Sequence, residues 1–182
     1  PHTYIQGIIK DGGEAANVIP DYASLEYYFR APTMAYAKEV SEKATAIAEA
    51  ISTANGTTVK TSVYECPYED TVINYKLAEI LTEKYSELGL EDVKPVNEVG
   101  AGSTDVGAVS YKCPTIQGFI KIVPEHVGAH TVELRDATIS EDGKDGLVNA
   151  ATGIALVALD LLENPSLLKE VWEEQEKPLA QL

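Results

Sequence analysis

Between Ala23 and Ile51 the hydrophobic period of the chain switches from two residues to 3.6, and no other feature restricts the fold as much. From Ala23 to Arg30 the residues alternate: Leu25, Tyr27 and Phe29 fall on one face, and Glu26, Tyr28 and Arg30 on the other. That pattern predicts a strand. Pro32-Thr33 stops it and starts a helix, in which Ala37, Val40, Ala44, Ile47, Ala48 and Ile51 recur at helical spacing until Asn55-Gly56. Tyr4 to Lys10 reads as an earlier strand followed by an Asp11-Gly12-Gly13 turn, and Thr57 to Glu65 as a later strand. Strand, strand, helix, strand makes a small α+β sheet with its helix on one face. A four-stranded version needs a further strand and helix before residue 1.

The pattern changes around Pro67 to Asp70. Thr71 to Leu88 predicts a second helix, with Leu77, Ile80, Leu81, Tyr85 and Leu88 apolar and Gly89 at its C-terminal cap. Val93 to Val99 predicts a strand, Gly100 to Gly107 a turn into a short helix, Thr115 to Val123 a strand, and Pro124 to Ala129 a loop. Ser140 caps a long helix running to about Leu162. Asn164-Pro165 caps a last amphipathic helix with Leu167, Leu168, Val171 and Trp172 on its apolar side. Alternating strands and helices point to an α/β layer here. The expected domains are residues 1–68 and 69–182.

Across 182 residues the formal net charge is −15. Neutralising a nucleic acid needs clustered Lys and Arg, so this balance argues against nucleic acid and against an anionic membrane surface. The longest apolar candidate, Ile154 to Leu159, is cut by Asp160, short of the roughly 20 residues a bilayer requires. Cys66 and Cys113 both precede a proline, and the expectation is two reduced core thiols in a cytoplasmic protein. The chain opens on Pro1-His2-Thr3-Tyr4 without a Met, so it is expected to be part of a longer or trimmed protein. The missing signal peptide then says little about location.

Three places could carry chemistry. In Gly100 to Gly107 the glycines allow tight backbone, and Ser103, Thr104 and Asp105 are natural helix N-caps. A strand running into a helix start presents free N–H groups to an anion. A plain structural turn fits the spacing equally well, and neither the P-loop nor the dinucleotide fingerprint is matched. In His126-Val127-Gly128-Ala129-His130 the spacing of four suits two metal ligands only on a helix, whereas Pro124 and Gly128 argue for a loop. Taken alone, each histidine reads as an ordinary surface residue. Asn17 and Arg30 flank the second strand. Arg can grip a carboxylate with a two-pronged fork and Asn can donate to one, but a turn Asn and a solvated Arg explain them as well.

Read together, these places resemble one family. Gly12-Gly13-Glu14-Ala15-Ala16-Asn17-Val18-Ile19-Pro20-Asp21, followed by Tyr27-Tyr28-Phe29-Arg30-Ala31-Pro32, resembles the lid-domain strands of M20 peptidases and amidohydrolases, nearest the aminobenzoyl-glutamate hydrolases and aminoacylase-like dipeptidases. Gly102-Ser103-Thr104-Asp105-Val106-Gly107, then Val109-Ser110-Tyr111 and Pro114-Thr115-Ile116, resembles that subgroup's second signature. Gly128-Ala129-His130-Thr131 ahead of an Ala-rich helix resembles its closing metal-ligand motif. The resemblance runs from about Ile5 to Leu162 and implies an incomplete ferredoxin-like lid (dimerisation) domain plus the C-terminal part of an α/β metallohydrolase catalytic domain.

In such enzymes two divalent metal ions, usually zinc, activate a water, and a glutamate acts as general base in attack on an amide carbonyl. The resemblance implies that His130 is a metal ligand. It implies that Asn17 and Arg30 bind the substrate's carboxylate or carbonyl, with Gly102 and Ser103 approaching the substrate through backbone N–H groups. It further implies a small-molecule amide substrate bearing a carboxylate and a homodimer formed through the lid. The family's His-x-Asp pair, Glu-Glu pair and lid histidine are not in these 182 residues. No catalytic residue is therefore assigned here. The chain alone is expected to be inactive and to hold little or no metal, with the missing N-terminal segment as a partner. The alternative is a non-catalytic, self-associating α+β dimerisation module. No role is assigned to His2, His126 or the last helix.

Overall fold

In the computed structural model, which describes residues 2–91, 93 and 102–180, Tyr4–Asp11 (β1) and Ser24–Arg30 (β2) pair antiparallel. The register sets Ile5 opposite Phe29 and Ile9 opposite Leu25 on one face, and Gln6 opposite Tyr28 and Tyr4 opposite Arg30 on the other. This is the alternation read from the sequence. A bulge between Ile9 and Asp11 ends the ladder beside Ser24. Met34–Ala54 (α1) follows, its first turn held by the Thr33 hydroxyl accepting from Tyr36 N and by the Asp70 carboxylate accepting from Met34 N at 2.9 Å. Asn55 and Gly56, the latter at φ +67°, close it. These residues belong to the first of two units, Pro1–Asp70.

Thr57 to Glu65 corrects one expectation. It is not a strand. Strand propensity reflects packing against a neighbouring strand rather than an intrinsic backbone preference, and among the described residues nothing forms a ladder with this segment. Side chains anchor it instead: Tyr28 donates to Glu65 at 2.8 Å, and Tyr64 meets the Tyr28 ring edge-on. Cys66, expected in a core, is consequently exposed, and both thiols are unpaired.

The second unit, Thr71–Leu182, contains Tyr75–Glu87 (α2), Val106–Ser110 (α3), Val132–Ala137 (α4), Glu141–Glu163 (α5) and Pro165–Leu179 (α6). Among the described residues the chain is thus mixed α+β, with one antiparallel pair and six helices. Ile80, Leu81 and Tyr85 of α2 pack with Val157 of α5 and Val171 of α6 to make the core. Gly153 lets α5 approach so closely that an added Cβ would strike the Tyr85 ring, and at Gly146 it would meet Ile120 and Ile122. α2 begins at Tyr75, not Thr71, because the Asn74 side chain accepts from Leu77 N at 2.9 Å and caps it there. Its end forms a Schellman motif: Leu90 N donates to Tyr85 O, Gly89 N donates to Ser86 O, and Gly89 sits at φ +80°.

One further expectation is corrected, and one helix was not foreseen. Thr115 to Val123 forms no ladder with any described residue, and α4 was not foreseen, its six residues being too few to display a helical period. The strand expected at Val93 to Val99 lies, Val93 apart, outside the described residues, as do Gly100 and Ala101. α5, read in the sequence as interrupted by Asp160, is by length and composition capable of crossing a bilayer. Core helices of other proteins meet the same test, and Gly143, Gly146, Gly153 and Val157 of α5 are buried.

A buried polar network joins α6 to α2 and α3. Asn74, Ser110 and Gln175 are 0%, 0% and 1% exposed. The Gln175 amide donates to Ser110 O at 2.7 Å and to Val72 O at 3.4 Å, and its oxygen accepts from Asn74 Nδ2 at 3.1 Å. Asn74 Nδ2 also donates to Val171 O at 2.8 Å. The Ser110 hydroxyl accepts from Val72 N at 2.9 Å and donates to Gly107 O at 2.6 Å. The last helix, to which the sequence assigned no role, therefore fixes the position of α3.

Candidate functional site

The candidate residues fall in both units. In the first, Asn17 is exposed in the turn that Val18 N closes onto Ala15 O at 3.1 Å, within the loop joining β1 to β2. Gly13, at φ +100°, gives that loop its entry, its N–H donating to the Asp11 carboxylate at 3.2 Å. Arg30 ends β2, half-buried. The loop returns to the sheet at Ser24, and six residues of strand carry the chain about 20 Å from there to Arg30. The two residues expected to bind the substrate's carboxylate or carbonyl thus stand on segments rooted at opposite ends of β2.

Arg30 is not isolated. Its guanidinium lies 5.4 Å from the centroid of the Tyr28 ring, within cation–π range. Tyr28 is two residues earlier on the same face. Its phenol donates to Glu65, and the Tyr64 ring meets it edge-on at 5.8 Å and 64°. The bond to the Glu65 carboxylate, then that to Tyr64, raises the ionisation of Tyr28 well above the usual tyrosine value, so the phenol stays neutral and donating. The alternation of β2 put Tyr28 and Arg30 together in the sequence, but nothing in the sequence signalled Glu65, 37 residues away from Tyr28.

In the second unit, Gly102 and Ser103 are exposed just ahead of α3. Thr104 Oγ1 accepts from Val106 N at 3.4 Å. Asp105, the N-cap by position, makes no side-chain cap. α3 has only five residues, so individual N–H groups rather than a helix dipole are what this turn can offer. A Cβ built at Gly102 meets nothing within 4 Å among the described residues.

His130 is exposed at φ +62°. A left-handed conformation is uncommon for a side-chain-bearing residue, costs about 1–3 kcal/mol and persists only where the surroundings enforce it. Thr131 enforces it. Its hydroxyl accepts from Leu134 N at 3.2 Å as the N-cap of α4 and donates to Gly128 O at 2.9 Å. The loop is thereby folded back ahead of α4, with His130 on its last residue before the cap. His126 is exposed in the turn that Val127 N closes onto Pro124 O. A zinc site takes about four ligands, and the described residues contain no group of three or more His, Cys, Asp or Glu side chains suited to a metal. Among the described residues His130 is thus a single donor.

No family model matches the chain. The chain is similar to hydrolases of dipeptides by name: it is 34% identical over 176 residues, 96% of its length, to the Xaa-Arg dipeptidase of Mus musculus. It is 32% identical over 180 residues to the Xaa-Arg dipeptidase of Homo sapiens. It spans 41% and 40% of those two proteins, about two fifths of the curated relatives it matches.

Proposed function

We propose that this chain supplies the lid strands and the closing metal-ligand loop of an M20-type, metal-dependent peptidase acting on dipeptides, and that the 182 residues alone are inactive. The observation that carries this reading is the 34% identity to the mouse Xaa-Arg dipeptidase, sustained over 96% of the chain. Arg30, already seated over an aromatic ring, grips the substrate's carboxylate, and Asn17, on the loop at the other end of β2, offers a donor to a place separate from that carboxylate. Gly102 and Ser103 offer backbone N–H groups to the carbonyl oxygen as it gains charge. His130, with its ring exposed on an enforced turn, is the ligand this chain would give to a divalent metal, most simply zinc. When bound, a pair of such ions supplies Lewis acidity and an activated water. The remaining ligands and the general base come from a further segment. A formal net charge of −15 favours the approach of a dipeptide whose side chain is cationic, such as one ending in arginine. The enzyme is proposed to be cytoplasmic and to act as a homodimer through the first unit.

The test is hydrolysis of a panel of dipeptides by the product of the complete reading frame, with and without zinc. Metal-dependent cleavage that His130→Ala abolishes supports the reading; cleavage indifferent to both the metal and His130 overturns it. One observation favours a second reading, a non-catalytic self-associating module: Ile5, Ile9, Leu25 and Tyr27 leave an apolar face of the β1–β2 pair exposed. A dimer inert toward every dipeptide would support that alternative.

A further inference from the structure

The environment of Arg30 carries an inference that rests on the proposed function and deepens it. A free arginine at a strand end samples many rotamers, and each must be given up when its fork meets a carboxylate. Here the guanidinium is already parked over a ring, 5.4 Å from its centroid. The ring is itself held on two sides. Glu65 anchors the phenol oxygen at 2.8 Å, and Tyr64 abuts the ring edge-on. Glu65 and Tyr64 come from the segment after α1, so the clamp crosses from one part of the first unit to another. The carboxylate at the phenol pole also draws the phenol proton toward itself and leaves the ring more electron-rich, which strengthens its attraction for a cation.

We propose that Tyr28 is a positioning residue for substrate recognition: its ring, locked by Glu65, is the platform that holds the Arg30 guanidinium ready for the carboxylate of a dipeptide. The side chain does not touch the substrate. It lowers the ordering cost of the residue that does. Because a carboxylate terminus is present in ground state and transition state alike, the effect falls on KM and leaves kcat unchanged. Tyr28 is 42% exposed, so its substitution leaves the core intact.

The test uses four variants and two readouts. In the zinc-loaded product of the complete reading frame, Tyr28→Leu raises KM for dipeptides about two- to fivefold at unchanged kcat. Tyr28→Phe, which keeps the ring but loses the bond to Glu65, raises KM less than Tyr28→Leu does, by about twofold. In an Arg30→Leu background, Tyr28→Leu adds no further change, since the platform then has nothing to carry. Independently, the Arg30 Nε–H resonance of the 182-residue chain shifts downfield in Tyr28→Leu, on loss of the ring current, and shifts less in Tyr28→Phe, which keeps the ring without its bond to Glu65. An active enzyme in which Tyr28→Leu leaves KM and that resonance unmoved, or shifts KM equally with and without Arg30, overturns the proposal alone. A parent enzyme inert toward dipeptides overturns the peptidase reading, and the positioning role falls with it.

Discussion

Replacing Gln175 with leucine should cost the second unit about 2–4 kcal/mol, although Gln175 sits in a helix with no motif. The substitution keeps the side chain's approximate volume and removes its amide. Ser110 O loses its 2.7 Å donor and Val72 O its 3.4 Å donor. Asn74 Nδ2 loses one acceptor at 3.1 Å but retains Val171 O at 2.8 Å, so it remains satisfied. The cost is therefore two buried carbonyls without partners, each about 1–3 kcal/mol, with the longer bond at the low end. The added apolar contact of leucine, on the order of 1 kcal/mol, offsets part of it. Urea unfolding followed by circular dichroism should show the midpoint falling at unchanged slope, as expected when stability changes and the exposed surface does not. Against a domain stability of about 5–15 kcal/mol this is a large fraction. A loss below about 1 kcal/mol would refute the reasoning, since it would mean that water reaches these carbonyls or that they find other donors.

Three further outcomes follow from the same structure. Gly153→Ala puts a methyl against the Tyr85 ring between α5 and α2, and thermal melts should show a loss of about 1–3 kcal/mol. His130→Gly relieves a left-handed backbone and should stabilise the chain by about 0.5–1 kcal/mol in the same melts while removing the proposed ligand. Lys84 donates to Asp160 at 2.7 Å and to Glu87 at 3.2 Å, which raises its pKa above 10.5. Its folded value exceeds its unfolded one, so the stability it contributes is complete below pH 10.5 and disappears as pH rises through the folded value. Lys84→Met should flatten that alkaline part of the stability profile, measured by urea titration.

Elements whose signals are local were legible in the sequence. Thr33, Ser140 and Asn164 each cap the helix they announce, through bonds to Tyr36 N, Gly143 N and Leu167 N. The alternation from Ala23 to Arg30 places every β2 side chain on its observed face. Pairing information was not legible. Thr57 to Glu65 and Thr115 to Val123 have strand composition, but composition states only that a residue suits a neighbour, not that a neighbour is at hand. The start of α2 was misread because Asn74 does two tasks, capping α2 and bonding Gln175, which is 101 residues away. At the candidate site, Tyr28 beside Arg30 follows from a period of two. Glu65 does not, because a hydrogen bond across 37 residues leaves no periodic trace. The left-handed backbone of His130 was equally hidden, since histidine, unlike glycine, does not advertise it.

The reading proposed above is that these residues complete a metal-dependent peptidase. The most direct test measures release of free arginine from an Xaa-Arg dipeptide by three zinc-supplemented proteins: the 182-residue chain, the product of its complete reading frame, and that product carrying His130→Ala. Turnover by the second alone is the predicted result. Equal turnover by the 182-residue chain, or undiminished turnover after His130→Ala, would contradict it.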